Sequence, residues 1–237
     1  MVGTKNIERS ITAKFMGIVF LYMFIALFIT AGTSALVGFL FTTFLPLTEE
    51  TNQNIYLITL IVSFILIIGV GFWFSFAGYR SKGGLYVPFA IYAILMGVLA
   101  SSFTMFIEFE VLAISFGITC LAFLCMALIG IFTKKNLNFL LIVVFGLLLG
   151  CFFIGLTNII WYFFFPTTFL INYLIIEVAV FAVIILITLF DVWRIKKIAE
   201  RGEANNNLAL YCAFNLYIDF INIFIRIVSL VSSSKRN

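Results

Sequence analysis

Long apolar runs alternate with short polar connections along almost the entire chain. The runs cover residues 15–45, 55–79, 85–107, 111–132, 137–165, 168–192 and 208–231. A helix needs roughly 20 apolar residues to cross the hydrocarbon core of a bilayer. Each run reaches that length, so the pattern predicts seven transmembrane helices. Phe, Ile and Leu dominate the runs, with interspersed Gly, Ala and Ser that suit helices packed on one another in lipid. Pro46, Pro88 and Pro166 lie near run ends, where proline costs least. The Thr33-Ser34-Ala35 segment could pass for a signal-peptide cleavage site. The run around it is too long for a signal-peptide core, however, and another run follows after a short linker, so it is expected to remain as the first span. No internal repeat or low-complexity linker interrupts the pattern, and nothing suggests the paired broken helices of inverted-repeat transporters.

The connections carry the orientation. Lys5, Arg9 and Lys14 precede the first run, Arg80 and Lys82 lie between the second and third, and Lys134 and Lys135 between the fourth and fifth. Arg194, Lys196, Lys197 and Arg201 lie between the sixth and seventh. The intervening connections hold Glu49 and Glu50, then Glu108 and Glu110, then no charge at all. Basic residues on every second side predict a cytoplasmic N-terminus. Seven spans then put the C-terminus outside, where Lys235 and Arg236 run against the rule. The alternative is a seventh segment that is re-entrant and returns inside.

Composition agrees with that pattern. Of 237 residues, 64% are hydrophobic and only 10% are charged, with a mean hydropathy of +1.24. A soluble domain carries about 25% charged residues, and a disordered chain needs more charge and fewer aromatics than the 18% present. The expected fold is an all-α integral membrane protein, residues 1–237 forming a single transmembrane bundle. The net charge of +4 reflects the basic connections and does not point to nucleic acid, so the expected partner is the lipid bilayer itself. Cys120, Cys125, Cys151 and Cys212 all sit in apolar runs without a C-x-x-C pair, which argues against a disulfide framework or a zinc site. The absence of histidine removes Ser-His and Cys-His nucleophile pairs and H-E-x-x-H metal sites. No enzyme activity and no cofactor are expected, and any proton chemistry falls to carboxyl groups.

Four ionisable residues fall inside the runs: Glu177, Asp191, Asp219 and Arg226. A charge at membrane depth costs roughly 2.5 kcal/mol or more, so each needs a partner, a proton or water, and each is a functional candidate. Tyr211, Asn215, Asp219, Asn222 and Arg226 recur at helical spacing and form one polar stripe on the seventh helix. Such a stripe must face other helices or a water-filled cavity; the plainer reading is a seam of interhelical hydrogen bonds. Asp191 reads in one way as an interfacial residue paired with Arg194 beside a belt Trp193. Spacing points further. Gly202 to Asn207 has the composition of a hairpin turn, and the midpoint between Asp191 and Asp219 falls at residue 205. The two aspartates are therefore expected at one depth on adjacent helices. Two close carboxyls in low dielectric share a proton and titrate in two macroscopic steps, and when both are ionised they form a hard oxygen site for Ca²⁺. Glu177 lies toward the outer half of the bundle, where it either lines a vestibule or, as preferred here, pairs with Arg226. Glu49, Glu50, Glu108 and Glu110 could concentrate cations at an entrance, or simply reflect the absence of positives outside.

The run Leu208-Ala209-Leu210-Tyr211-Cys212-Ala213-Phe214-Asn215-Leu216-Tyr217-Ile218-Asp219-Phe220-Ile221-Asn222-Ile223-Phe224, with Arg226 following, resembles the C-terminal A-L-x-L-Y-L-D-F-I-N-L-F signature of the Bax inhibitor-1 family. Residues 15–37, with Tyr22-Met23 and Leu27-Phe28-Ile29-Thr30-Ala31, resemble the first span of bacterial members, and Asp191 with Arg194-Ile195-Lys196 resembles the family's Asp and basic segment. The resemblance implies a seven-helix bundle with the C-terminal helix central. It also implies a pH-sensitive Ca²⁺ leak whose proton-sharing latch is Asp191 and Asp219. An arginine near the end of helix two contributes to the closed state in some members; Arg80 is the matching residue, although Gly69 and Val70 stand where an earlier acidic residue would be.

The expected function is thus a pH-sensitive calcium channel or transporter, with Ca²⁺ as transported ion and protons as regulator, in a bacterial inner membrane. Two alternatives remain. One is a membrane interaction protein without flux. The other is an intramembrane aspartyl protease, which the Phe190 and Ile218 preceding the aspartates disfavour because its motifs call for Tyr and Gly there. If the last segment spans, a cysteine placed at Ser234 is labelled by a membrane-impermeant reagent only from the side opposite the N-terminus. Labelling from the N-terminal side would establish the re-entrant topology.

Overall fold

A computed structural model describes residues 2–45, 50–77, 84–164, 169–202 and 205–235. Among the described residues every regular element is a helix: α1 (Val2–Thr43), α2 (Glu50–Ala77), α3 (Tyr86–Phe106), α4 (Phe109–Phe132), α5 (Phe139–Phe164), α6 (Phe169–Glu200) and α7 (Asn206–Lys235). All seven are long and apolar enough to cross a membrane, and α7 runs unbroken. Large side chains such as Phe28, Phe109 and Ile142 project outward, as lipid-facing groups do. The molecule is a multi-pass membrane protein.

Several helices outrun their apolar runs. α1 starts well before Phe15, and α6 continues for about two turns past Val192. Apolarity marks where lipid begins and ends, whereas a helix continues as long as its backbone bonds and side-chain pairs allow. In α6 the extension carries Lys197–Glu200 at 2.7 Å and Lys196–Glu200 at 3.8 Å. The helix stops where Gly202 takes φ +74°, with the Arg201 and Gly202 amides bonded back to the Lys197 and Ala199 carbonyls. α7 then starts on Asn205, whose side-chain oxygen accepts the Leu208 amide at 2.8 Å. Gly202 thus closes α6 and Asn205 opens α7.

α1 and α3 run parallel, Tyr22 meeting Tyr86 at one end and Gly38 meeting Thr104 at the other. Gly97 sets their separation. A Cβ there would lie 2.7 Å from the Thr30 carbonyl oxygen and 2.6 Å from the Thr33 Cβ. α2 lies antiparallel along α3, through Tyr56–Ser101 and Phe74–Phe89. α4 packs on α6, and α5 packs on α6 through Leu137, Leu140, Phe190 and Trp193. Trp193 is buried in that contact, not seated as an interfacial belt residue, because α6 presents this face to α5.

α7 is the enclosed helix. Of its span, 67% is buried, against 11–39% for the other six. α1, α3, α4 and α6 contact it, and Phe74 of α2 stacks on its Phe214 at 4.1 Å. Phe89 and Tyr92 meet Phe214 and Tyr217 edge-on. One hydroxyl ties three helices together. Thr30 Oγ1 lies 3.0 Å from both the Ala26 and Ala93 carbonyl oxygens and 2.6 Å from the Tyr217 hydroxyl. Carbonyls only accept, so the Thr30 proton is directed to them and Tyr217 must donate to Thr30.

Replacing Gly97 with Ala drives a methyl into backbone and lowers stability by about 1–3 kcal/mol, read as an earlier thermal unfolding midpoint in detergent. Gly69→Ala, where a Cβ meets nothing within 4 Å, leaves the midpoint unchanged or raises it. Equal midpoints for Gly97→Ala and wild type would contradict the close approach.

Candidate functional site: a buried aspartate on the enclosed helix

Asp219 lies midway along α7, where it is 6% exposed. Its Oδ2 has no hydrogen-bond partner among the described residues. The Thr188 hydroxyl and the Asp191 carboxyl face it from α6. Thr188 also directs its hydroxyl to the Ile184 carbonyl at 2.8 Å. With that proton so engaged, the Thr188 oxygen is available to accept from a protonated Asp219. A carboxylate in the same place would leave an oxygen unsatisfied beside a second carboxyl, an arrangement that burial penalises heavily.

Asp191 is half-buried, and Arg194, one turn further along α6, acts on it electrostatically. Asp191, Arg194, Tyr211 and Asn215 border a cavity of about 10 Å³ between α6 and α7, room for a single water. The charges balance simply. One proton on the two carboxyls leaves a single negative charge against one guanidinium; without it, two negative charges face that guanidinium.

The polar stripe of α7 therefore changes character along its length. Tyr211 stacks on Phe74 at 6.3 Å and, with Asn215, borders the small cavity. Asp219 is enclosed, Asn222 is exposed, and Arg226 forms an ion pair with Glu177 of α6. The structure brings Asp191, Asp219, Tyr211 and Asn215 to one stretch of the α6–α7 contact, while Glu177 and Arg226 pair nearer the other end. Arg80 lies outside the described residues. At the end remote from Arg194, Lys235 donates to Glu108 and, at 2.9 Å, to Glu110. These hydrogen bonds, Glu108 first, hold the Lys235 ammonium above the ordinary lysine range. Glu108 and Glu110 are accordingly committed to the C-terminus of α7.

Two contributors were not singled out from the sequence, and a third was legible only in part. Thr188 precedes Asp191 by three positions and so shares its helix face, a readable signal. Arg194 was read only as a charge or a pair for Asp191, yet it borders the space between the helices. The Thr30–Tyr217 contact joins residues far apart in the chain and had no local signal. Among the described residues no group of three or more His, Cys, Asp or Glu could hold a metal ion. All four cysteines are free.

Residues 12–236 match the family model described as inhibitor of apoptosis-promoting Bax1. The chain belongs to the Bax inhibitor-1 family. The match reaches all seven helices and leaves out only the first turns of α1. No curated protein matches the chain. Bax inhibitor-1 proteins are not known as an enzyme family.

Glu177→Gln and Arg226→Gln each leave an unbalanced charge in a half-buried setting and lower stability in detergent. The double variant loses less than the sum, by a coupling of about 0.5–3 kcal/mol. Strictly additive losses would show that the pair contributes nothing.

Proposed function

We propose that this Bax inhibitor-1 protein is a pH-sensitive calcium leak, regulated by a proton shared between Asp191 and Asp219. The observation that carries the reading is the enclosed Asp219 carboxyl with an unpartnered oxygen, next to Asp191 on the adjoining helix. Protonation supplies the missing donor and joins α7 to α6 through Thr188. Loss of the proton sets two carboxylates against the single Arg194 guanidinium and alters how α7 packs on α6. A local change of charge thus biases two arrangements of the bundle.

Ca²⁺ is the cargo in this reading. The ionised pair offers hard oxygen ligands, which suit a weakly held ion in transit. Protons and Ca²⁺ then compete for one place, so flux depends on pH without any histidine. The polar stripe continues from that place through the exposed Asn222 toward the end where Glu177 and Arg226 meet, and offers a polar route along an otherwise apolar helix. The basic residues at the ends of α1, α4 and α6 support a cytoplasmic N-terminus and an outside C-terminus, and the resemblance of residues 15–37 to the first span of bacterial members supports an inner bacterial membrane.

Ca²⁺ influx into liposomes carrying the purified protein varies with pH between 6 and 8, and Asp219→Asn flattens that dependence. Asp219→Asn behaving as wild type across the range would defeat the proposal. Folded protein with no flux at any pH would favour the alternative of a membrane interaction protein.

A further inference from the structure

A second cavity, away from Asp191 and Asp219, lies at the basic end of the bundle. It measures about 450 Å³ and opens between the connection from α4 to α5, the end of α6 and the start of α7. That volume lies within the range of small-molecule sites. Four cations border it: Lys134, Arg194, Lys197 and Arg201. Among the described residues, none that borders it is acidic. Lys197 is engaged by Glu200 at 2.7 Å, and Lys134 and Arg201 have no carboxylate partner among the described residues. Like charges gathered around one hollow repel one another, and an anion placed among them removes that repulsion.

The remaining wall narrows the chemistry. Asn136 and Asn138 add amide donors beside the cations. Phe190, Trp193, Ile198 and Leu208 supply an apolar side. Trp193 is buried, and its indole N–H has no acceptor among the described residues. Arginine forks and lysine ammonium groups match phosphate oxygens, and an apolar wall beside them suits an acyl stem. The cavity also sits where α6 leaves its apolar run, the depth at which headgroups lie. We propose that this cavity binds the phosphate-bearing headgroup of an anionic phospholipid. Arg194 borders both this cavity and the small one beside Asp191, so the bound phosphate and the carboxyl pair draw on one guanidinium.

The test uses the whole protein in a neutral maltoside detergent, with native mass spectrometry reading bound lipid. Phosphatidylglycerol binds at least about tenfold more tightly than phosphatidylcholine. The double variant Lys134→Gln/Arg201→Gln loses about tenfold in that affinity. Lys14→Gln/Lys135→Gln removes as much charge outside the cavity and binds as wild type; unfolding midpoints of both variants are compared with wild type to confirm folding. Glycerol 3-phosphate and inorganic phosphate, tested alone, bind far more weakly than the lipid. Equal affinity for the two lipids overturns the proposal, as does an equal loss in both double variants. Binding of inorganic phosphate as tight as that of the lipid also overturns the lipid assignment, because it points to a soluble anion.

Discussion

A carboxyl group at membrane depth cannot face lipid, and the rest of the bundle is arranged around that constraint. Asp219 sits on the least apolar of the seven spans, so α7 is the one that the others must enclose. α1, α4 and α6 pack directly on it, α3 touches it, and α2 reaches it through Phe74. The apolar side of α7 is held by an aromatic cluster around Phe214 and Tyr217, and the Thr30 hydroxyl ties it to α1 and α3. Gly97 makes that knot possible, because only a missing side chain lets α3 come close enough to α1 for Thr30 to reach the Ala93 carbonyl. Enclosure of one carboxyl therefore accounts for features far from it in the chain.

The two ends of the molecule handle charge in opposite ways. At one end α6 extends beyond its apolar run and carries Arg194, Lys196, Lys197 and Arg201 toward the connection between α4 and α5, where Lys196 donates to the Thr133 carbonyl at 3.1 Å. At the other, acidic Glu108 and Glu110 receive Lys235. That contact explains a basic residue that conflicts with a simple count of loop charges. Lys235 does not mark orientation; it closes the C-terminus of α7 onto the connection between α3 and α4. Between the ends, Arg226 and Glu177 form a second link from α7, to α6. The helix that bears the buried carboxyl is thereby anchored by charge near its C-terminal end and by Asn205 at its start, with Asp219 between.

The spans, their number and the polar stripe on the last helix were legible in the sequence, because each depends on local composition and helical period. The placing of Asp191 and Asp219 on adjoining helices was expected too, from their equal separation from residue 205. Helix ends were less legible: α1 and α6 continue through polar residues that hydropathy assigns to connections. Trp193 was open to reading as a belt residue from its place next to Arg194, yet α5 covers it. Which face of a helix another helix covers depends on the packing of both, and a single run of sequence carries no record of the second.

The sequence by itself determined that this chain lives in a membrane, how many helices are long and apolar enough to cross it, and which few residues are too polar for lipid. Those properties follow from transfer free energies, which each residue carries wherever it is placed. Only the tertiary structure decided how those residues are satisfied. It set Thr188 against Asp219, Arg194 beside Asp191, Glu177 against Arg226 and Lys235 against Glu108 and Glu110. Partner choice is a matter of distance and direction between helices, and only the packed bundle fixes either.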